Sequence, residues 1–362
     1  MKIGIIAANS LRLSPYAFFY SGIMDELGMD YEFVVPERNS AFSETEKSNE
    51  RVRSIPWDNG KHSFLNYCLY SGKVKRICNE LYDCIIVLTS TNAVFFAPWI
   101  TRKFRKKYII DVRDFTYENN YLFRKIENIV FNNSALNVIS SPKFETFLPK
   151  GDYYVTHNIT TPTEVSPEKF KKNTQHIIIG YVGSVGYAKQ CKKLLELVNA
   201  DSRFSFFFFG SGPDESELVN YVADRQMDKE RIKFFGAYTS EQKGEIVQKI
   251  DLLFNCYGNG NRLLECALSN KLYDGLYYHK PILNSPSTFM DEIGGKLSFV
   301  IDFNKIDNLD ELWHWYQDLD KDEIDEFASN LYKELVEQSL ETKERIKKQI
   351  RHWQQDNLAE CD

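Results

Sequence analysis

Ser269–Ser285, SNKLYDGLYYHKPILNS, reads as a polar start, a helix and then a buried strand. Ser269 or Asn270 can cap the helix by accepting a free backbone N–H. Leu272, Leu276 and His279 share one helical face. Pro281 stops the helix, and PILN reads as the strand that follows. Lys271 and Asp274 then fall in the first turn, where helix N–H groups can hold an anion. A lysine adds charge there, and an aspartate one turn along can hydrogen-bond sugar hydroxyls. The competing reading is a surface helix with an i,i+3 ion pair, worth roughly 0.2–0.5 kcal/mol. The rest of the chain has to decide between them.

The same alternation extends in both directions. Toward the N-terminus, KIGIIAA, YEFVVP, CIIVLTS, KYIIDV, ALNVISS and YYVTHN read as strands. Helices are expected across Pro15–Leu27, Phe64–Leu81, near Phe95–Phe104 and across Tyr121–Asn132. This is the βαβ pattern of a parallel sheet covered on both faces. Residues 159–175 break it: they are polar, hold two prolines and lack periodicity, as a linker does. The pattern then restarts with HIIIGYVGS, FSFFFFGSG, IKFFGAY and DLLFNCY. The expected fold class is therefore α/β, with two Rossmann-like doubly wound domains facing a central cleft. The expected division is 1–158, a linker at 159–175, 176–308, and C-terminal helices at 309–362 that can cross back to the first domain.

Composition bounds the function. The chain of 362 residues suits two domains and, at 43% hydrophobic residues, can fill two cores. A net charge of −6 argues against a general nucleic-acid binder. Residues 1–165 hold 20 Lys and Arg against 18 Asp and Glu, so the first half is the better suited to an anionic surface. Seven scattered cysteines form no C-x-x-C and suggest core thiols in a reducing, cytoplasmic setting. MKIGIIAANS is too short an apolar run for a signal peptide. Cys84–Ile100 is interrupted by polar residues and a proline, which favours a strand and loop over a membrane span.

In the second half, each placed strand ends in a glycine-bearing or polar turn. GYVGSVGYAKQ supplies Gly183, Ser184 and Lys189; FFFFGSGP supplies Gly210 and Gly212. FFGAYT adds Tyr238, and CYGNGNR adds Arg262. Glycines let a backbone approach a phosphate, and a lysine can pair with it. With Asn270, Lys271 and Asp274, these turns fit a nucleotide diphosphate: base near Tyr238, phosphates near Gly183 and Lys271, ribose near Asp274. In the first half, DVRDFTYE places Asp111, Arg113, Asp114 and Glu118 after a strand. One carboxylate can orient or deprotonate a hydroxyl; the alternative is an Asp–Arg pair that fixes the loop. His157 favours a packing role, Asn158 ends the same strand, and Asn9 and Ser10 end the first one. PWITRKFRKKY places Trp99 and Phe104 among basic residues through Lys107, either as a patch on anionic lipid or as a solvated helix face with two core aromatics.

The order GYVGS…K, FFGSGP, FFGAYTSEQ and SNKLYDGLYYHKPIL resembles the nucleotide-sugar domain of GT-B glycosyltransferases, specifically the retaining family-4 group. YIIDVRDFTYE, NVISSPKFETFLP and YYVTHNI resemble first-domain segments of enzymes of O-antigen, capsule and exopolysaccharide synthesis. The resemblance covers roughly residues 1–310. It implies a ribose-binding acid at Asp274, a phosphate-binding lysine at Lys189, and no metal or other cofactor. Two positions depart from the family: Ser184 stands where an arginine is expected, and Cys266 where a donor-sugar glutamate is expected. Arg262 or Lys271 can compensate for the first. The resemblance implies transfer, with retention, from a nucleotide-sugar donor to a glycan acceptor, polyprenyl-linked and met at the inner face of the membrane. Catalytic roles then fall to Asp114, Arg113 and Glu118. The alternatives are a nucleotide-sugar 2-epimerase on the same scaffold and a non-catalytic nucleotide-sugar or glycan-binding partner.

Overall fold

The computed structural model describes residues 1–37, 49–57, 64–159 and 169–359. Most of the expected linker, 160–168, lies outside the described residues, as does Cys361. The chain divides into two units, Met1–His157 with Gln338–Asp362, and Asn158–Glu337.

The first unit is built on β1 (Lys2–Ile6), β2 (Asp30–Glu37), β3 (Val52–Pro56), β4 (Cys84–Leu88), β5 (Tyr108–Val112), β6 (Leu136–Ile139) and β7 (Tyr154–Val155). Their order is β3-β2-β1-β4-β5-β6-β7, and every pairing is parallel. Residues in β4, β5 and β6 are buried without alternation, because helices cover both faces. Those helices are α1 (Ala17–Leu27), α2 (Phe64–Leu81), α3 (Ser90–Lys103) and α4 (Tyr121–Asn133).

Two elements differ from expectation. The strand β3 was hidden in a polar stretch; it is a short strand beside β2 alone, with only Ile55 buried, and an edge tolerates its Pro56. The helix α3 starts five residues before Phe95, so Cys84–Ile100 is a strand and helix rather than a strand and loop. Its first turn is polar and buried, which defeats apolar periodicity. Thr89 Oγ1 accepts from Asn92 N at 3.4 Å, Asn92 Nδ2 donates to Leu88 O at 3.2 Å, and Ser90 Oγ donates to Glu118 Oε1 at 2.7 Å.

The second unit has β8 (Ile177–Val182), β9 (Phe204–Phe209), β10 (Ile232–Phe234), β11 (Leu252–Asn255), β12 (Ile282–Asn284) and β13 (Ser298–Val300), in the order β10-β9-β8-β11-β12-β13, again all parallel. Its helices are α5 (Ala188–Ala200), α6 (Glu215–Asp224), α7 (Lys243–Gln248), α8 (Arg262–Cys266), α9 (Asn270–Tyr277), α10 (Phe289–Gly294) and α11 (Asp310–Asp318). The last helix, α12 (Lys321–Ala359), begins in the second unit and ends in the first. Both sheets are Rossmann-like. Strand order reverses between β1 and β4 in one and between β8 and β11 in the other, and ligands of such sheets bind at the carboxyl edge beside that reversal.

Candidate functional site

In the second unit the reversal is flanked by the turn after β8 and the loop after β11. Tyr181, inside β8, pins the turn: its hydroxyl donates to Ser184 O at 2.9 Å and accepts from Gly186 N at 3.1 Å. Gly183 has φ +123, favoured only by glycine, and open space where a Cβ would stand. Ser184 and Lys189 are exposed at the mouth. Gly210 and Gly212 do something other than approach a ligand. A Cβ on Gly210 would overlap Gly183 O, and one on Gly212 would overlap Val185 O. They let the next loop pack against the backbone of the turn, and so hold its shape.

The helix α9 starts where the sequence placed it, and Ser269 is its cap, accepting from Leu272 N at 3.2 Å. Ser269 Oγ also donates to Asn255 Oδ1 at 2.6 Å, and Asn255 Nδ2 donates to Asn284 Oδ1 at 2.7 Å, which ties the helix start to the ends of β11 and β12. Lys271 and Asp274 are 6% and 8% exposed, so the surface ion-pair reading fails. They also have different partners. Lys271 Nζ donates to Tyr257 OH at 3.0 Å and lies 4.3 Å from the centroid of the Tyr181 ring, a cation–π geometry. Burial pushes its pKa down. Asp274 pairs with Lys243 Nζ at 2.5 Å. Burial still pushes its pKa up, against the opposing Lys243. Tyr238 is half-buried, and its pKa is raised to about 12, first by burial and then by the Asp274 charge.

Tyr187, in the left-handed region at φ +61, sets its ring edge-on to Tyr257 at 4.8 Å. Arg262 opens α8 and sits 3.8 Å from Glu265, both partly exposed. Cys266 is buried. Asn270 is exposed and accepts from Asn158 Nδ2 at 2.8 Å. A pocket of about 410 Å³ opens beside this edge, lined by Lys189, Lys193, Gly258, Ser285 and Asn304 among others. Tyr238, Lys271, Asp274 and the unforeseen Lys243 thus form one group, while Lys189 faces the pocket. Lys243 was missed because SEQKGEI reads as an ordinary solvated helix start; nothing in its spacing marks it. Tyr181 and Tyr257 read as strand core and loop.

In the first unit, Arg113 is committed to the protein. Its guanidinium holds Asp111 by two bonds of 2.7 Å and donates to Thr156 O at 2.9 Å and Thr156 Oγ1 at 2.5 Å. Tyr20 OH donates to Asp111 Oδ2 at 2.7 Å. Asp111 is fully buried and Arg113 nearly so, which is the loop-fixing arrangement. Glu118 is buried as well and accepts from Ser90 Oγ and Thr116 N. Asp114 alone among the three expected catalytic residues is exposed. The desolvation of its crowded turn pushes its pKa up, opposed by Arg113 and helped by Glu118 and Asp111, and solvent at its tip screens these effects. His157 has the packing role: Nε2 lies 2.9 Å from Gln338 Oε1, and its backbone N–H donates to Ser339 Oγ at 2.9 Å. Ser10 is buried after β1, and its hydroxyl has no hydrogen-bond partner among the described residues. Phe104 is core, and Trp99 is half-buried with Nε1 donating to Asn79 Oδ1 at 2.9 Å, so these aromatics point into the unit while Arg102, Lys103 and Arg105 are exposed.

No family model and no curated protein matches the chain. Solved structures do, at low identity. HepE from Anabaena, in complex with UDP, is 13% identical with a TM-score of 0.68, over 96% of this chain and 100% of that one. The lipopolysaccharide outer core galactosyltransferase WaaB is 15% identical with a TM-score of 0.63, over 95% and 100%. A putative UDP-N-acetylglucosamine 2-epimerase from Listeria monocytogenes is 12% identical with a TM-score of 0.58, over 91% and 90%. The likeness is one of fold: the chain has the two Rossmann-like domains of GT-B proteins, a scaffold that hosts more than one reaction.

Proposed function

We propose that the chain is a retaining glycosyltransferase. It moves a sugar from a nucleotide-diphosphate sugar to a hydroxyl of a glycan acceptor, carried on a polyprenyl lipid in surface polysaccharide synthesis. The observation that carries the donor half is Lys271. Its ammonium is buried against two tyrosines, and no carboxylate bonds it among the described residues. A buried cation is costly without a counter-charge. A diphosphate at the turn after β8 supplies that charge, with room over Gly183 and a second cation in Lys189. Asp274 receives the ribose hydroxyls and Tyr238 flanks the base. HepE, similar in fold, is solved with UDP and with UDP-glucose, and WaaB is described as a galactosyltransferase, which supports a nucleotide-sugar donor for this chain.

The acceptor half rests on Asp114, the exposed carboxylate at the end of β5, which orients the acceptor hydroxyl or takes its proton. Arg113 and Glu118 hold the turn that presents it. Nucleoside diphosphate release from UDP-, GDP- and dTDP-sugars, with and without membrane lipid extract, tests the whole reading. One donor should be turned over, with stimulation by lipid. Lys271→Ala and Asp274→Ala should each weaken nucleotide binding by about 10- to 100-fold, the worth of a charge-assisted hydrogen bond. No release from any donor, with binding unchanged in both variants, overturns the assignment. A sugar epimer formed without any acceptor replaces it with the epimerase reading.

A further inference from the structure

A groove of about 730 Å³ opens on the first unit between α2, α3 and α4. Its walls are apolar. Tyr67 of α2 stacks on Phe95 of α3 at 4.8 Å, and Pro98 of α3 and Leu122, Ile126 and Ile129 of α4 contribute to the lining. These side chains are not sheltered: Leu122 is 64% exposed and Ile129 54%, with Tyr117 at 53% and neighbouring Tyr121 at 72%. Single exposed apolar residues are ordinary, but a contiguous apolar groove marks an interaction surface.

The exposed charge on α3 and α4 has one sign; α2, the third wall, carries the exposed Lys73, Arg76 and Glu80. The helix α3 has no acidic residue, and the only one in α4, Glu127, is buried. Arg102, Lys103, Arg124 and Lys125 are exposed on these two helices, and Arg105 follows in the turn after α3. Arg102 comes one turn after Pro98, and Lys125 comes three residues after Leu122, so both continue rows that line the groove. The chain as a whole carries −6, so this face stands against the general charge. A second copy of the chain would bring the same cations face to face, which disfavours self-association here.

We propose that this face lies on an anionic phospholipid bilayer, with acyl chains entering the groove and the flanking cations meeting the headgroups. The apolar contact comes from Tyr117, Leu122 and Ile129 and not from Trp99 and Phe104. Among the described residues no helix is long and apolar enough to cross a membrane, so the contact is an interfacial one. The inference deepens the acceptor half of the proposed function and rests on that reading for its purpose. Vesicle binding needs neither donor nor turnover, so either can fail alone.

Flotation of the full chain with vesicles tests it. Pure phosphatidylcholine vesicles are compared with vesicles in which about one lipid in four is phosphatidylglycerol, at low and high salt. The parent chain floats with the anionic vesicles at low salt and not with the neutral ones. Leu122→Ser with Ile129→Ser, and separately Arg102→Glu with Lys125→Glu, each lower the bound fraction at least about fivefold. All four positions are exposed, and unchanged melting temperatures confirm intact folding. The proposal is overturned if the parent chain does not float with anionic vesicles, or if the Ser pair floats as well as the parent, which leaves charge alone. It is also overturned if the parent chain is a dimer in solution that the Ser pair dissociates, which makes the groove an interface between copies.

Discussion

Glu127 shows how burial sets a single group. It lies on α4 with 1% of its surface exposed, and neither carboxyl oxygen has a hydrogen-bond partner among the described residues. Burial, with Glu118 adding to it and Arg124 opposing, raises its pKa to about 8. Between the ordinary glutamate value and about 8, the folded state holds a proton that the unfolded chain has released. Stability from this residue is therefore present at acid pH and is lost as pH rises through that window, by up to about 1.4 kcal/mol per pH unit. Chemical denaturation from pH 5 to 8 should show this slope in the parent chain and lose it in Glu127→Gln. An identical pH profile in the variant would mean that Glu127 is ionised in the fold. Tyr181 makes the opposite case, a buried hydroxyl with both roles filled. Tyr181→Phe removes the bonds to Ser184 O and Gly186 N and should cost about 1–2 kcal/mol. Nucleotide affinity should fall as well, because the turn over Gly183 loses its pin. A variant that melts lower but binds nucleotide unchanged would separate the pin from the site.

At the scale of elements, the turn after β8 is shaped by its neighbour. Gly210 has φ +131, and a Cβ there would overlap Gly183 O, so Gly210→Ala is strained twice. The expected cost is about 2–4 kcal/mol. Gly186→Ala is the control: open space surrounds that position, its N–H is retained, and its effect should stay within about 0.5 kcal/mol. Equal melting temperatures for the two variants would refute the packing account. This pair also marks what the sequence could and could not tell. That Gly210 and Gly212 follow a strand is plain in FFFFGSGP. That they face the backbone of another turn depends on sheet order, which no local spacing carries. The strands of β1, β4, β5, β8 and β9 were legible because a parallel sheet buried on both faces needs unbroken apolar runs. The edge strand β3 has no such need and passed for a polar loop. The first turn of α3 was illegible for a related reason, since its buried Ser90, Thr91 and Asn92 look like solvated residues until their partners are known. In the candidate site, Lys271 and Asp274 were visible from one motif. Lys243 comes from a helix, 31 residues before Asp274 in the chain, and the fold alone brings the two together.

At the scale of the whole chain, the first unit is completed by residues at the far end of the sequence. The helix α12 leaves the second unit at Glu337 and continues into the first. Ile346, Ile350 and Trp353 form one stripe at i, i+4 and i+7, all at 3% exposure or less, in the core that also holds Ile3, Ile5 and Ile86. Trp353 Nε1 donates to Lys106 O at 2.8 Å, and Thr342 Oγ1 donates to Val155 O at 2.7 Å. Lys343 and Lys347 also reach Glu26, but these ion pairs are open to solvent and add little. The stripe dominates. Three large apolar side chains contribute about 5–8 kcal/mol of burial, comparable with the whole stability of a domain. Trp353→Ala in the full chain should cost about 3–5 kcal/mol. Ending the chain at Glu337 should unfold the first unit outright. The residues assigned to the donor all lie within Asn158–Glu337, so the truncated chain should still bind nucleotide, within about threefold of the parent. Hydrogen exchange separates the two effects: amides of β1, β4 and β5 lose protection while those of β8 and β11 keep it. Protection retained across β1, β4 and β5 would show that the first unit closes its core without α12. Loss of protection in both units together would show that the helix stabilises the chain as one cooperative body.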